Sequence, residues 1–240
     1  MQLNVTIKLG RPLVLPINYQ HILQAVIYNS LSRRNEYSTF VHDKGYAYEK
    51  RKFRMFTFSE LEGKYEIREW KIIFRNSVRF EIRSPEVLFI QNLAQSFRET
   101  GIRFGENWYK DVAAEISDDA IEEEEIYIRM KTPICVYSTD LDTKKTYFYA
   151  PDEVMFYQMI IDNFVRKYQA CYGVEPDEEI EIVPVEITGR DKFVTKYKNF
   201  YISGWRGVYR LSGKRKYLDF LYQTGLGSKN SQGFGMFEVI

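Results

Sequence analysis

Imidazole is scarce in this chain of 240 residues, which has two histidines, His21 and His42. His42 lies in the stretch "YSTFVHDKGYAYEKRKFRMFTFS", among Lys44, Lys50, Arg51, Lys52 and Arg54. An imidazole titrates near neutrality and can give or take a proton, and a cation beside it favours a reaction that passes through an anion. RNA is the substrate that suits such a set, because its 2′-hydroxyl is already a nucleophile. Strand cleavage then needs a base near that hydroxyl, a donor for the leaving 5′-oxygen and positive charge on the phosphorane; it needs no metal. One His, one Tyr and one Lys or Arg suffice. The plain alternative is a basic surface loop whose histidine does no chemistry. His21 falls among apolar helical positions and reads as a packing or capping residue.

A second basic stretch points to the same polymer. From Arg190 to Lys216 the chain carries Arg190, Lys192, Lys196, Lys198, Arg206, Arg210, Lys214, Arg215 and Lys216 against a single Asp191. Phe193, Tyr197, Phe200, Tyr201, Trp205 and Tyr209 are interleaved with them. Cations supply phosphate affinity and aromatic rings can stack bases, so this run is a candidate RNA surface. The alternative is a strand pair with one solvated basic face and one buried aromatic face.

The third feature is the loop in "TGLGSKNSQGFGMFEVI", where Gly225, Gly227, Gly233 and Gly235 bracket Lys229 and Asn230. Nucleotide-binding glycine loops require a helix directly after them to place its N-terminal dipole on phosphate. Met236 to Ile240 instead alternate as a strand, which argues against a P-loop or dinucleotide site.

Composition bounds the rest. A formal net charge of +1 argues against a diffuse nucleic-acid coat, yet charge is segregated. Glu115, Asp118, Asp119 and Glu122 to Glu125 form an acidic run without Lys or Arg. Cys135 and Cys171, far apart and with two histidines, make no zinc-type ligand set, so no metal and no cofactor is expected. The start "MQLNVTIKLG" lacks a basic-then-apolar leader, and no apolar run is long enough to span a membrane. A reduced, cytoplasmic protein is the expectation.

The elements that must position these residues follow from periodicity. Gln2 to Leu9 alternates as a strand, and apolar Ile22, Leu23, Val26, Ile27 and Leu31 make a first helix with Asn18 as its cap candidate. Phe53 to Ser59, Tyr65 to Phe74 and Val78 to Arg83 read as strands. A second helix is expected to open on Ser84 as cap with Pro85 at its first position and to end before Gly101. Trp108 to Ile116 reads as a closing strand. The order β-α-β-β-α-β is that of a ferredoxin-like fold. After the acidic run the pattern loosely repeats: Ile126 to Ser138 and Lys144 to Tyr149 as strands, then a helix opening at Pro151-Asp152-Glu153 and ending near Gly173. Strands Glu179 to Thr188, Phe193 to Ser203 and Gly207 to Leu211 follow, with a short helix from Lys216 to Thr224. Two α+β sandwiches in tandem are predicted, divided as residues 1–120 and 121–240.

Taken together, "LPINYQHILQAVIYNSLS", "FVHDKG", "KFRMFTFS" and "GLGSKNSQGFGMFEV" resemble the CRISPR repeat-processing endoribonucleases of the Cas-six family, in that family's order and spacing. The resemblance spans nearly the whole chain, and the glycine loop is its most specific element. It implies tandem ferredoxin-like domains and metal-independent cutting of the precursor CRISPR transcript within each repeat, leaving a 2′,3′-cyclic phosphate and a 5′-hydroxyl. It also implies His42 as the catalytic histidine, Tyr28 as a helix tyrosine that assists, and Lys52 or Arg54 as the cation. Lys229 and Asn230 would be phosphate contacts, with the basic-aromatic run as further RNA surface. Repeat RNA would be the partner, with no membrane, as monomer or homodimer; effector-complex subunits are further partners that the resemblance allows. The rival reading is a repeat-binding structural subunit without catalysis, which would not need the His42 constellation.

Overall fold

The computed structural model describes residues 1–31, 45–49, 51–197 and 200–240. His42, Lys44, Lys50 and Lys198 lie outside the described residues.

Strand β1, Gln2–Lys8, buries Leu3, Val5 and Ile7, every second residue, and so faces a core on one side. Helix α1, Gln20–Leu31, returns over that side, burying Leu23, Val26, Ile27 and Leu31. Three more strands, β2 (Thr57–Phe58), β3 (Ser77–Arg83) and β4 (Val112–Ser117), complete the sheet, with helix α2, Val87–Thr100, between the last two. The spatial order is β4-β1-β3-β2, antiparallel throughout, with Val5 opposite Phe80 on one side and Ala114 on the other.

The second half repeats the plan. Strand β5 (Glu125–Met130), helix α3 (Val154–Tyr172), strands β6 (Glu181–Glu186) and β7 (Val208–Ser212), helix α4 (Arg215–Thr224) and strand β8 (Phe237–Val239) follow in order. Their sheet runs β6-β7-β5-β8, again antiparallel, with Ile128 between Tyr209 and Val239. In each sheet the first strand of the unit lies between its third and fourth, and the second strand lies at the edge. That is the ferredoxin-like order, and the chain contains it twice. Each sheet has its own apolar cluster: Val5, Phe80, Leu93 and Phe97 in one, Ile128, Phe156, Phe164 and Tyr209 in the other.

Five expected elements are drawn differently. Phe53 to Ser59 is not one strand: Phe53 ends the strand Arg51–Phe53, paired with Tyr46–Tyr48, and only Thr57–Phe58 joins the first sheet. The stretch Tyr65 to Phe74 is two strands, Tyr65–Arg68 and Lys71–Phe74, reversing at Glu69 and Trp70, whose φ values are 48° and 63°. Leu13–Pro16 adds to this pair, making a separate three-stranded sheet. Phe193 to Ser203 is likewise a hairpin, Lys192–Tyr197 against Phe200–Trp205, inserted between β6 and β7. Trp108 belongs to the hairpin Ile102–Phe104/Asn107–Tyr109, and the closing strand begins only at Val112. The strand from Ile126 ends at Met130; Tyr137–Thr139 pairs separately with Thr146–Phe148.

Helix boundaries follow the glycines more closely than the caps. Gly101 and Gly173 each take positive φ and donate back to Phe97 O (3.0 Å) and Gln169 O (2.8 Å). Helix α2, however, begins after Glu86, two residues beyond the expected Ser84 cap. The Ser84 hydroxyl donates instead to Met55 O (2.5 Å) and accepts from Glu86 N (3.1 Å). Asn18 is similarly diverted, accepting from Thr195 Oγ1 at 2.9 Å. Among the described residues no helix is long and apolar enough to cross a membrane.

The two units are joined by buried polar groups. Arg83 at the end of β3 is 2% exposed; its guanidinium donates to Gln2 Oε1 (2.8 Å), Glu81 Oε2 (2.9 Å) and, across the boundary, Phe237 O on β8 (2.5 Å). The Tyr222 ring of α4 lies 3.8 Å beneath it. Arg206 reaches back to Glu60 at 2.7 Å, and Lys131 to Glu62 at 3.1 Å and to Glu81. Each of these three cations therefore meets a carboxylate or carbonyl of the other unit.

Candidate active site and RNA-facing cleft

One face of α1 carries His21, Gln24 and Tyr28, spaced three and four residues apart and so aligned toward the second unit. His21 packs edge-on against Tyr197 with ring centroids 6.1 Å apart, consistent with a packing role; its buried Nδ1 has no hydrogen-bond partner among the described residues. Gln24 bridges two elements of the second unit, donating to Ser231 O at 2.6 Å and accepting from the Tyr197 hydroxyl. Tyr28, in the last turn, is hydrogen-bonded through its hydroxyl to the side chains of Ser231 and Arg54. Burial raises its pKa, while the Arg54 cation and these two hydrogen bonds pull the other way.

Arg54 arrives by an alternating segment. Phe53 packs on the second cluster and Met55 is buried in it, whereas Phe56 and Phe58 belong to the first. The intervening Lys52 and Arg54 therefore point away from the second core, into a cleft of about 620 Å³ between the units. Lys229 and Ser231 of the glycine loop and Lys167 of α3 line the opposite wall. Arg51, Lys52, Arg54, Arg166, Lys167 and Lys229 all contribute to the lining, and no described lining residue is acidic. In a chain of net charge +1, this concentrates positive potential in one concave place.

The loop itself is held by the protein. All four of its glycines take positive φ. At Gly235 a Cβ would lie 2.0 Å from Leu226 O, and at Gly233 it would lie 2.9 Å from the Phe58 ring of β2. The first allows the loop to close on itself and the second lets it press onto the first unit. Asn230, expected at the RNA surface, is turned inward and 7% exposed. Its amide donates to Leu226 O (2.9 Å) and Phe234 O (3.1 Å) and accepts from Lys167 Nζ (3.2 Å), so its polar atoms staple the loop. Lys229, half-buried at φ 64°, lies 4.7 Å from the Tyr137 ring and keeps its ammonium at the cleft. Replacing Gly235 by Ala should lower stability by about 2 kcal/mol or more, from left-handed strain plus the clash with Leu226. The thermal melt should fall by at least about 4 °C, whereas Gly10→Ala, with open space around it, should not move it.

The other expected RNA contacts lie elsewhere. Lys192 and Lys196 share the outward face of the Lys192–Tyr197/Phe200–Trp205 hairpin with Tyr201, which is 68% exposed. Arg206 is engaged by Glu60 and by Lys131 O, with Phe193 5.3 Å away. Arg210 projects from β7 between Glu125 (2.6 Å) and Glu181 (2.8 Å), outside the cleft lining. Its charge is satisfied in place.

Sequence reasoning missed Gln24, Ser231 and Lys167. Gln24 and Ser231 carry no distinguishing pattern. Lys167 does, since it falls seven residues after Ile160 and three after Phe164, on the buried stripe of α3.

The comparisons with known proteins agree with this geometry. Residues 115–239 match the family model described as CRISPR associated protein Cas6, C-terminal. The chain is 28% identical to a CRISPR-associated endoribonuclease Cas6 of Methanocaldococcus jannaschii, over 98% of this chain and 91% of that one. It is 37% identical to the CRISPR-associated endoribonuclease Cas6 of Pyrococcus furiosus, over 45% of this chain and 39% of that one. A solved structure of a CRISPR associated protein Cas6 superposes with a TM-score of 0.77 at 25% identity, covering 100% of this chain and 99% of the other. Twice-repeated ferredoxin-like order, a glycine loop seated across the boundary and a family match over half the sequence lead to one conclusion: the chain belongs to the Cas6 family of CRISPR-associated proteins.

Proposed function

We propose that this protein is an endoribonuclease that cuts precursor CRISPR RNA within its repeats, without a metal ion, by attack of the 2′-oxygen on the adjacent phosphorus. The P–O5′ bond breaks as the P–O2′ bond forms; one proton leaves the 2′-hydroxyl and one reaches the 5′-oxygen. A 2′,3′-cyclic phosphate and a 5′-hydroxyl result.

The observation that carries the reading is the meeting of Tyr28 with Arg54 and Ser231, two residues that line a cationic cleft, in a member of the Cas6 family. Its relatives named above are endoribonucleases by name. His42 is assigned the proton transfers. The described chain leaves α1 at Leu31, within one turn of Tyr28, and resumes at Gly45, where an added Cβ would lie 2.0 Å from an Arg54 guanidinium nitrogen. The described residues on either side of the segment that holds His42, Leu31 and Gly45, thus lie near Tyr28 and Arg54 respectively. Tyr28, kept protonated by burial, holds or donates a proton, and Lys52 or Arg54 supplies the cation that meets the phosphorane. Residues 1–120 form the domain bearing these groups, and 121–240 the domain bearing the loop.

Lys229 binds phosphate, and the Lys192–Lys196 face with Tyr201 extends the RNA path by charge and stacking. Lys229→Ala should weaken repeat RNA binding about 3- to 10-fold and reduce the salt slope by about one. The cleavage rate at saturating protein should stay near native; a defect that survives saturation would place Lys229 in the chemistry instead. The function itself is tested by mapping the ends of labelled repeat RNA after incubation in excess EDTA. A cyclic phosphate on the upstream fragment supports the proposal, and a 3′-hydroxyl contradicts it.

A further inference from the structure

The buried stripe of α3 runs Phe156, Ile160, Phe164 and then admits Lys167, which is 1% exposed. An unpaired ammonium in such a place costs several kcal/mol, so the disposition of its charge defines its role. Nζ donates to Thr224 O (3.4 Å), Gly225 O (2.5 Å) and Asn230 Oδ1 (3.2 Å). All three acceptors are formally neutral. The first is the last carbonyl of α4, at the negative end of that helix's dipole, and the second belongs to Gly225, the residue that caps the helix and opens the glycine loop. Burial draws the lysine's pKa down to about 7, while the carbonyls and the Asn230 oxygen favour its charged form.

The third acceptor links this cation to the cleft. Asn230 fastens Leu226 and Phe234, on opposite arms of the loop, with its amide nitrogen. The next residue, Ser231, holds the Tyr28 hydroxyl with its side chain and accepts from Gln24 with its carbonyl. A norleucine-like side chain would fill the same space, but it would leave the Thr224 and Gly225 carbonyls and the Asn230 oxygen unneutralised beneath a cleft that receives a polyanion.

We infer that Lys167 is a positioning residue for RNA cleavage: its ammonium cancels the negative end of α4 under the cleft and clamps the loop so that Ser231 fixes the Tyr28 hydroxyl. The inference rests on the endoribonuclease reading and adds to it a buried control point outside the reacting set.

The test compares the native chain, Lys167→Met, Ser231→Ala and the double variant on one labelled repeat RNA. Single-turnover rate at saturating protein, Kd and thermal melt are measured for each. Lys167→Met should cut about 10- to 100-fold more slowly with Kd within about 5-fold, and the double variant should be no slower than about 3-fold below the slower single, because both changes break one linkage. A Lys167→Met protein that melts lower yet cuts within about 3-fold of native would make the lysine purely structural and overturn the inference. Multiplying defects in the double variant would also overturn it. Should Lys167→Met not fold, Asn230→Ala breaks the clamp at its loop end and carries the same expectations against Ser231→Ala; a native rate there is equally contradictory. A native chain that binds repeat RNA without cutting overturns the endoribonuclease reading and this inference together, whereas a cutting native chain with an unaffected Lys167→Met overturns the inference alone.

Discussion

The His42→Ala protein is expected to cut repeat RNA about a thousand-fold more slowly than the native chain while binding it within a few fold. General acid–base groups contribute typically 10²- to 10⁴-fold, and their removal leaves the cations that bind phosphate in place. Two arguments support the proposed role of His42. It is one of two histidines in the chain, and the other, His21, packs against Tyr197. The described residues that flank the His42 segment, Leu31 and Gly45, also lie near Tyr28 and Arg54. Single-turnover rates and filter-binding isotherms on the same RNA check the expectation. Loss of binding in parallel with cutting would assign His42 to folding or to RNA contact, and an unchanged rate would remove it from the mechanism.

Arg83→Met should produce the largest loss of stability, about 3 kcal/mol or more. The guanidinium is nearly inaccessible and bonds to Gln2, Glu81 and Phe237 O, so its removal takes a buried donor from the Phe237 carbonyl across the seam and leaves Glu81 with Lys131 as its remaining ion-pair partner there among the described residues. Breaking a buried pair from one side typically costs 3–5 kcal/mol, because the remaining partner stays desolvated. For a protein of this size the melt should fall by about 6–12 °C. Arg68→Met, which breaks an exposed pair with Glu66, is the control and should leave the melt unchanged within error. Arg83→Met should also slow cleavage. Tyr28 and Arg54 come from the first unit and Ser231 from the second, so a loosened seam spreads the cluster. A melt within 2 °C of native would show that the seam is held by its apolar contacts alone.

Much of this architecture was legible because alternation and helical spacing report burial directly. Gln2 to Lys8 buries Leu3, Val5 and Ile7, and the repeated βαββαβ order follows from eight strands and four helices of that kind. Reversals without Gly or Pro were not legible. Glu69 and Trp70 turn the chain with positive φ in the midst of an uninterrupted strand-like pattern, and nothing in their side chains announces it. Ser84 shows a different limit. Its cap signal was sound locally, yet Met55 O competes for the hydroxyl from across the fold. Asn230 shows a third: the polar run Ser228 to Gln232 reads as solvent-facing, but its bracketing glycines let the chain fold inward until the amide meets Lys167. The cluster of Tyr28, Arg54 and Ser231 spans both units, so it could be reached from sequence only through the family resemblance, and Ser231 not even then.

The central claim is that the RNA supplies its own nucleophile. Its most direct measurement is cleavage of a labelled repeat RNA in excess EDTA beside the same RNA carrying a single 2′-deoxy substitution at the mapped cut. The account predicts cutting of the first and none of the second at that position, with binding of both unchanged. Equal cutting of the deoxy substrate would contradict it, since the attacking group would then have to come from water or protein.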